Sequence, residues 1–414
     1  MVNSSLYNKY PFLNEWNEKG AQYAKDVNEM VEFGETHGWD KWKGKEPADE
    51  RSHLADDVLK ALQEANDSNT VNEFRSVCPP AHTPFIKYHE EKGQCISDIY
   101  CIDNSKIVFI TGAPYETRQA YLLDEDKLQT LDSDIVSVGK SPLGNCFAIA
   151  KGKKVSTSFG WQGTNLYEFD LPAVDDLAIT QLIPFNDGSR VLLVSAQGIF
   201  HLSENGSQLL HPEEDPDDDE WTSSIDMEHA ALSPDNSLIC AGDQGSVHRI
   251  LNNDLVQIAD IGPQSEYPHF ALFSKDNSHL IMNSCHFYWG ATIGVHTNQL
   301  NSLDDESYTV IDEQCRIYAG VATSQYYIVG DASGYIRAFD TTGKKVWEHF
   351  LGSTVTGMAI SEDESTLYVA CYSGILHKLI IGKGKRDAHA IGNADLYEEF
   401  RLLLWKGEEK VLRW

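Results

Sequence analysis

The sequence predicts an all-β protein, a seven-bladed β-propeller preceded by a small N-terminal helical unit. Three observations predict it. An apolar strand, a polar turn and a second apolar strand recur seven times between Ile96 and Leu379. The recurrence has a period of roughly 40 to 48 residues, that of a four-stranded blade. Helical periodicity is confined to the first eighty residues.

The seven turns align as Asp103-Asn104-Ser105, Leu143-Gly144-Asn145, Asp187-Gly188-Ser189, Asp235-Asn236-Ser237, Asp276-Asn277-Ser278, Thr323-Ser324-Gln325 and Asp363-Glu364-Ser365. Strands such as His229-Ala230-Ala231-Leu232-Ser233 and Gly357-Met358-Ala359-Ile360-Ser361 precede them. More continuously apolar strands follow: Val191-Leu192-Leu193-Val194, Leu238-Ile239-Cys240-Ala241 and Leu367-Tyr368-Val369-Ala370. Runs of that kind, bounded by turn residues, suit strands covered on both faces by neighbouring blades. About ten residues after four of the turns, a Gly opens the next strand at Gly198, Gly245, Gly334 and Gly374. Glycine there accepts the positive φ of a tight hairpin.

The most regular blade runs from Gly330 through Asp340-Thr341-Thr342-Gly343-Lys344 to Trp347. In these residues the chain resembles the WD-repeat and quinoprotein-like β-propellers, whose quinoprotein blade motif sets a Gly turn before a docking Trp. The resemblance covers roughly residues 82 to 382 and implies an architecture. The quinoprotein signature is clear in one blade only, and the Trp-Asp dipeptide ends none. Quinone-binding members of that family work outside the cytoplasm, so the resemblance argues against a quinone here.

Ahead of the repeats, Leu13, Trp16, Tyr23, Val27, Met30 and Val31 recur at helical spacing, with Glu15, Glu18, Lys19, Asp26 and Glu29 on the opposite face. A second amphipathic segment carries Leu54, Val58, Leu59 and Leu62, and a third helix is expected over 71–77. Gly34, Gly38 and the stretch from Lys41 to Pro47 read as the connection, and Cys78-Pro79-Pro80 as the boundary. The expected organisation is a helical cap or arm at 1–80, a propeller at 81–399 and a C-terminal hairpin at 400–414 that helps close the ring. Alternatively, a strand around Pro84-Phe85-Ile86-Lys87-Tyr88 completes the last blade. Either would remove open sheet edges.

Eight cysteines (Cys78, Cys95, Cys101, Cys146, Cys240, Cys285, Cys315, Cys371) are scattered singly and read as reduced core residues. No apolar run approaches membrane-spanning length, and Met1-Val2-Asn3-Ser4-Ser5 leads into charged, aromatic sequence. A cytoplasmic protein is expected.

The formal net charge is −30. Residues 1–80 hold nine Lys/Arg against fifteen Asp/Glu, so most of the excess lies on the propeller. Nucleic-acid binding rests on a basic footprint that this composition excludes. An acidic surface instead suits a basic protein partner. The charge concentrates in Glu213-Glu214-Asp215-Pro216-Asp217-Asp218-Asp219-Glu220-Trp221, a loop joining consecutive blades. By blade topology it shares a face with Cys285-His286-Phe287-Tyr288-Trp289-Gly290 and the Ala113-Pro114-Tyr115 turn. The candidate partner-binding residues are therefore Asp217, Asp218, Asp219, Glu220, Trp221, His286, Tyr288, Trp289 and Tyr115: carboxylates to orient Lys/Arg, aromatics to anchor.

The same loop sets Asp215, Asp217, Asp219, Ser223 and Asp226 at the ligand spacing of an EF-hand-like calcium loop. Glu220 stands where the sharp turn wants Gly, and Asp226 where a bidentate Glu is usual. No cofactor is expected, and calcium at 215–226 is the metal alternative.

Zinc-helix, nucleophile-elbow and phosphate-loop motifs are absent; Gly382-Lys383-Gly384-Lys385 lacks the required spacing and hydroxyl. His201, His248 and His377 follow blade glycines at one offset and read as a repeated structural position. The expected function is a non-enzymatic scaffold that holds a basic protein through its acidic and aromatic face. A narrower form is an acidic immunity-type inhibitor of a basic toxin or nuclease. The rival is a propeller enzyme or small-molecule binder acting at the central channel, because propeller sites are assembled from residues distant in sequence.

Overall fold

In the computed structural model, which describes residues 2–214, 217, 221–304, 307–384 and 387–414, the side chains of residues 2–4 excepted, seven antiparallel sheets follow one another in chain order. They form blades 1 to 7 at 96–130, 135–170, 179–211, 229–261, 267–312, 317–350 and 355–413. Six blades have four strands and blade 7 has five. First strands of neighbouring blades pack on one another, with blade 4 meeting the second strand of blade 3, and the first strand of blade 1 packs on that of blade 7, so the sheets close into a ring around a central channel. The chain is a seven-bladed β-propeller.

All seven aligned turns are the hairpins between first and second strands. Their chemistry is local: the Asp235 carboxylate accepts from the Ser237 N–H and hydroxyl (3.0 and 2.7 Å) and from the Ser233 hydroxyl (2.8 Å). Asp276 and Asp363 repeat the pattern between Ser274 and Ser278 and between Ser361 and Ser365. Second strands such as Val191–Ser195, Tyr327–Asp331 and Thr366–Cys371 are buried at every residue, as strands covered on both faces must be. Gly343, in the quinoprotein-like segment, has φ +84°, and a Cβ there would meet the Val310 carbonyl of blade 5 at 2.1 Å. Only glycine lets that turn approach its neighbour.

Phe400, Leu402 and Leu404 of the C-terminal segment sit in the seam where the ring closes. Each blade is built from contiguous chain, and blades 1 and 7 join through a shared apolar cluster including Ile96, Ile99, Phe109, Tyr368 and Leu376. The Thr356 hydroxyl donates to the Ile96 carbonyl across this seam (2.6 Å). Phe400 lies in the fourth strand of blade 7, Leu396–Leu403, and Leu412–Arg413 adds a fifth strand beside it. Pro84 to Tyr88 is not a strand. Pro84 sits in the 3-10 turn Thr83–Phe85, a position suited to its fixed φ and missing N–H, and helix follows directly.

Five helices precede blade 1: α1 (Val2–Lys9), α2 (Leu13–His37), α3 (Ala55–Asp67), α4 (Val71–Arg75) and α5 (Ile86–Lys92). Gly34, expected in the connection, lies inside α2; the Trp39 ring packs where its Cβ would be, at 2.6 Å. Trp16 stacks against buried Arg51, whose guanidinium is held by both carboxylate oxygens of Asp49 at 2.7–2.8 Å. Leu13, Trp16, Val58, Leu62 and Phe74 share one core cluster with Ile375, Leu403, Trp405, Leu412 and Trp414 of blade 7. The helices and the last blade therefore bury each other's apolar faces.

Candidate interaction face and channel mouth

The chain enters every blade along its innermost strand. Hairpins between second and third strands and loops between blades consequently lie on one face, around one mouth of the channel. In six of the seven innermost strands a β-bulge interrupts the pairing; blade 4 is regular. The bulges hold Asp98 and Ile99, Val136, Thr180, His269, Tyr318 and Thr356 out of the ladder, on strands that wall the channel. A bulge re-aims a side chain without breaking the sheet.

The mouth is polar and locally charged. The buried Asp98 carboxylate accepts from the Ser137 hydroxyl (2.7 Å) and the Val138 N–H (3.1 Å), with Arg118 4.0 Å away. Burial raises the Asp98 pKa, with Arg118 and these donors opposing. Arg118 itself donates to the Val136 carbonyl (2.6 Å), while its buried Nε and Nη2 make no hydrogen bond. Burial also raises Glu228, with the Thr180 hydroxyl opposing.

The aromatic hairpin stands on this mouth. Phe287, Tyr288 and Trp289 are consecutive and 71, 67 and 68 % exposed. Arg316 fixes their base: its N–H donates to the Tyr288 carbonyl (3.2 Å) and its guanidinium to the Phe287 carbonyl (3.2 Å). The same guanidinium reaches the Met227 sulfur (3.6 Å) and lies 4.6 Å over the Tyr318 ring. Met227 closes the acidic interblade loop, so one arginine ties that loop's end to the aromatic hairpin. His286 hydrogen-bonds Glu266 and stacks on Tyr267.

The remaining sequence candidates are dispersed. Trp221 is half-buried and Asp217 exposed; Asp215, Asp218, Asp219 and Glu220 lie outside the described residues. Glu213 is held by Arg249 (2.6 Å), so part of the loop's charge is spent on its own blade. Tyr115 is 84 % exposed on the corresponding hairpin of blade 1, across the mouth from blade 5. On this face the helical unit packs on blade 7 and the loop leading to it, where the Lys406 N–H donates to the Lys92 carbonyl (2.7 Å) and the His82 ring lies against Gly352. The hairpin of blade 5 stays open. Crevices of about 350 and 240 Å³ lie on the opposite face among the first-strand hairpins, the former lined by Asn186, Asp187, Arg190 and Asp235.

Sequence reasoning did not find Arg316, Arg118, Asp98, Glu228 or His269. Their roles depend on bulges and loop ends that carry no periodic signal. It also misread one alignment. Gly198, Gly334 and Gly374 have the expected positive φ, but Gly245 does not, because blade 4 turns through a longer hairpin. His248 therefore opens its strand at the mouth end, beyond the last pair, Ala241 with Arg249, whereas His201 pairs with Leu192 and His377 with Val369, deeper in their blades. The equal sequence offset does not mark one structural position.

The fold defines the class: a β-propeller with a helical unit packed on its last blade. No family model and no curated relative matches the sequence. Among solved structures, the chain is similar to the computationally designed Ika8 protein, with TM-score 0.47 and 13 % identity over 70 % of this chain and 97 % of that one. It is also similar to hydrazine synthase of Kuenenia stuttgartiensis, with TM-score 0.44 and 13 % identity over 60 % and 77 % of the respective chains. Likeness at this level carries no argument about activity. Among the described residues no helix is long and apolar enough to cross a membrane.

Proposed function

We propose that the protein is a cytoplasmic, non-enzymatic scaffold of the WD-repeat or quinoprotein-like kind, holding a basic protein partner on the face at the channel mouth. The observation that carries this reading is the run Phe287, Tyr288 and Trp289, exposed together on a hairpin whose base Arg316 holds at two carbonyls. Exposed aromatics on a rigid support lose little conformational entropy on burial and serve as interface anchors. Exposed Asp217 and Asp226 and the carboxylates of Glu228 and Glu266 stand on the loops of the same face, where they would orient Lys or Arg side chains.

Affinity capture on the intact protein, followed by identification of the bound chain, tests this reading. A stoichiometric basic protein, retained at low salt and released as salt rises, is the expected result. Loss of that protein from Trp289→Ala bait, with retention by Tyr397→Ala bait, would place it on this face. Tyr397 is an exposed aromatic on the outer strand of blade 7.

A further inference from the structure

Blades 4 and 5 pack through an apolar layer of Ala231, Ile250, Ile261, Ala271 and Phe273, and at its mouth end that layer changes character. His229 opens the first strand of blade 4, His248 opens the third, and Cys240 lies on the second. All three are buried. The register accounts for their meeting: His229 pairs with Gly242, Ala241 pairs with Arg249 next to His248, and Cys240 is two residues along from that glycine, on the same face. The His229 Nε2 lies 2.9 Å from the His248 Nδ1. One potential ligand atom from each of the three residues lies within 4.8 Å of the others. From blade 5, the Ser284 hydroxyl stands 3.5 Å from the His248 Nε2. His269, held out of its strand by a bulge, is a further imidazole from blade 5, and neither of its ring nitrogens makes a hydrogen bond.

We propose that His229, His248 and Cys240 form a binding site for Zn²⁺, with His269 as the fourth ligand clamping blade 5 to blade 4. Two imidazoles and a thiolate suit this ion, and tetrahedral zinc sets its donors about 3.5 Å apart, so the three blade 4 side chains need only small adjustments, while His269, outside their 4.8 Å group, has to turn toward them. On binding, the Cys240 thiol gives up its proton to solvent and the S–H bond is replaced by S–Zn. The proton shared between His229 and His248 moves to the outward nitrogen of its own ring, leaving the inner nitrogen as donor. Ser284 then serves as the outer hydrogen-bond partner that fixes the His248 ring. The ion would satisfy buried polar groups that otherwise face one another in an apolar seam.

The test uses the full chain, stripped with a chelator and titrated with Co²⁺ as a spectroscopic probe. Saturation at one equivalent, with visible bands of tetrahedral intensity and a near-ultraviolet thiolate-to-cobalt band, is expected. Cys240→Ala should lose the near-ultraviolet band, and His248→Gln should weaken binding at least tenfold. Because either variant can fail to fold, X-ray absorption on the zinc-loaded native chain provides a second measurement. One sulfur at about 2.3 Å and three nitrogens at about 2.0 Å support the site. An oxygen-dominated shell, binding without stoichiometry, or a Co²⁺ spectrum unchanged in folded Cys240→Ala would overturn it and leave only an adventitious ion.

Discussion

Arg75 and Glu398 stand 323 residues apart in sequence and meet inside the protein, the guanidinium donating to the carboxylate at 3.1 Å and to the Glu398 carbonyl at 2.6 Å. One belongs to the last turn of α4 and the other to the outer sheet of blade 7. Arg401 and His377 complete the contact, donating to the second carboxylate oxygen at 2.8 and 2.7 Å. Burial alone would raise the Glu398 pKa, but Arg401, Arg75 and His377 outweigh it and hold the carboxyl well below its usual range.

Glu398→Gln should therefore destabilise the protein by about 3–5 kcal/mol in urea unfolding, since it leaves the buried Arg401 and the largely covered Arg75 short of their charge partner. The neighbouring Glu399, half-exposed and paired with Lys378 at 2.7 Å, provides the control. Glu399→Gln should cost about 1 kcal/mol or less. Equal losses would mean that the buried network contributes nothing special.

Deleting residues 1–80 should give insoluble chain, not an independent propeller. The deletion uncovers Trp405, Leu412 and Trp414, and removes the Cys78 carbonyl to which the Trp414 indole donates (2.9 Å). Trp16→Ala, a milder probe of the same cluster, should cost about 3–5 kcal/mol. A soluble truncated chain with native β-sheet circular dichroism would show that the helices are a dispensable arm.

Gly343→Ala should lower stability by more than Gly152→Ala. Both glycines have positive φ, +84° and +61°, so both substitutions carry backbone strain of about 1 kcal/mol. Only at Gly343 does the added carbon also strike a neighbouring blade, whereas nothing lies within 4 Å at Gly152. Calorimetric midpoints that fall equally would remove blade docking as the reason for this glycine.

Acid should unfold the protein over a defined window. Burial holds His89, His201 and His349 down to about 4, and His82 to about 2. Their unfolded values lie near 6.5, so below that pH the unfolded chain binds protons that the folded one refuses. Their contribution to stability is full above about 6.5 and diminishes as pH falls towards about 4. Each imidazole can add about 1.4 kcal/mol per pH unit to the slope. Chemical denaturation between pH 7.5 and 4.5 measures it; a flat profile would mean that these rings are hydrated in the folded state.

On the proposed partner face, Trp289→Ala or Tyr288→Ala should weaken capture of the partner by roughly 2 kcal/mol, about thirtyfold, mainly through faster dissociation. Asp226→Asn should instead slow association and flatten its salt dependence. Surface plasmon resonance separates the two effects.

The ring was legible in the chain because it is repetitive and local. A Ser-x-Asp-x-Ser turn satisfies its own backbone within five residues, and a strand covered on both faces must be apolar throughout, so both leave a periodic mark. Tyr288 and Trp289 were legible as candidates for the same reason: a hairpin between recognisable strands has a predictable face. What these elements meet was not legible. The contact of Arg316 with Met227, the pairing of Arg75 with Glu398 and the convergence of His229, His248 and Cys240 join segments whose separation in sequence has no period. The offset that made His248 look equivalent to His201 was a coincidence of hairpin length, visible only once the register was known. Sequence alone thus determined the number of blades and the face on which the aromatic hairpin stands, because short-range hydrogen bonding and burial dictate both. Tertiary structure decided which side chains share the channel mouth and how helices and last blade hold each other, because those contacts form only when the ring closes.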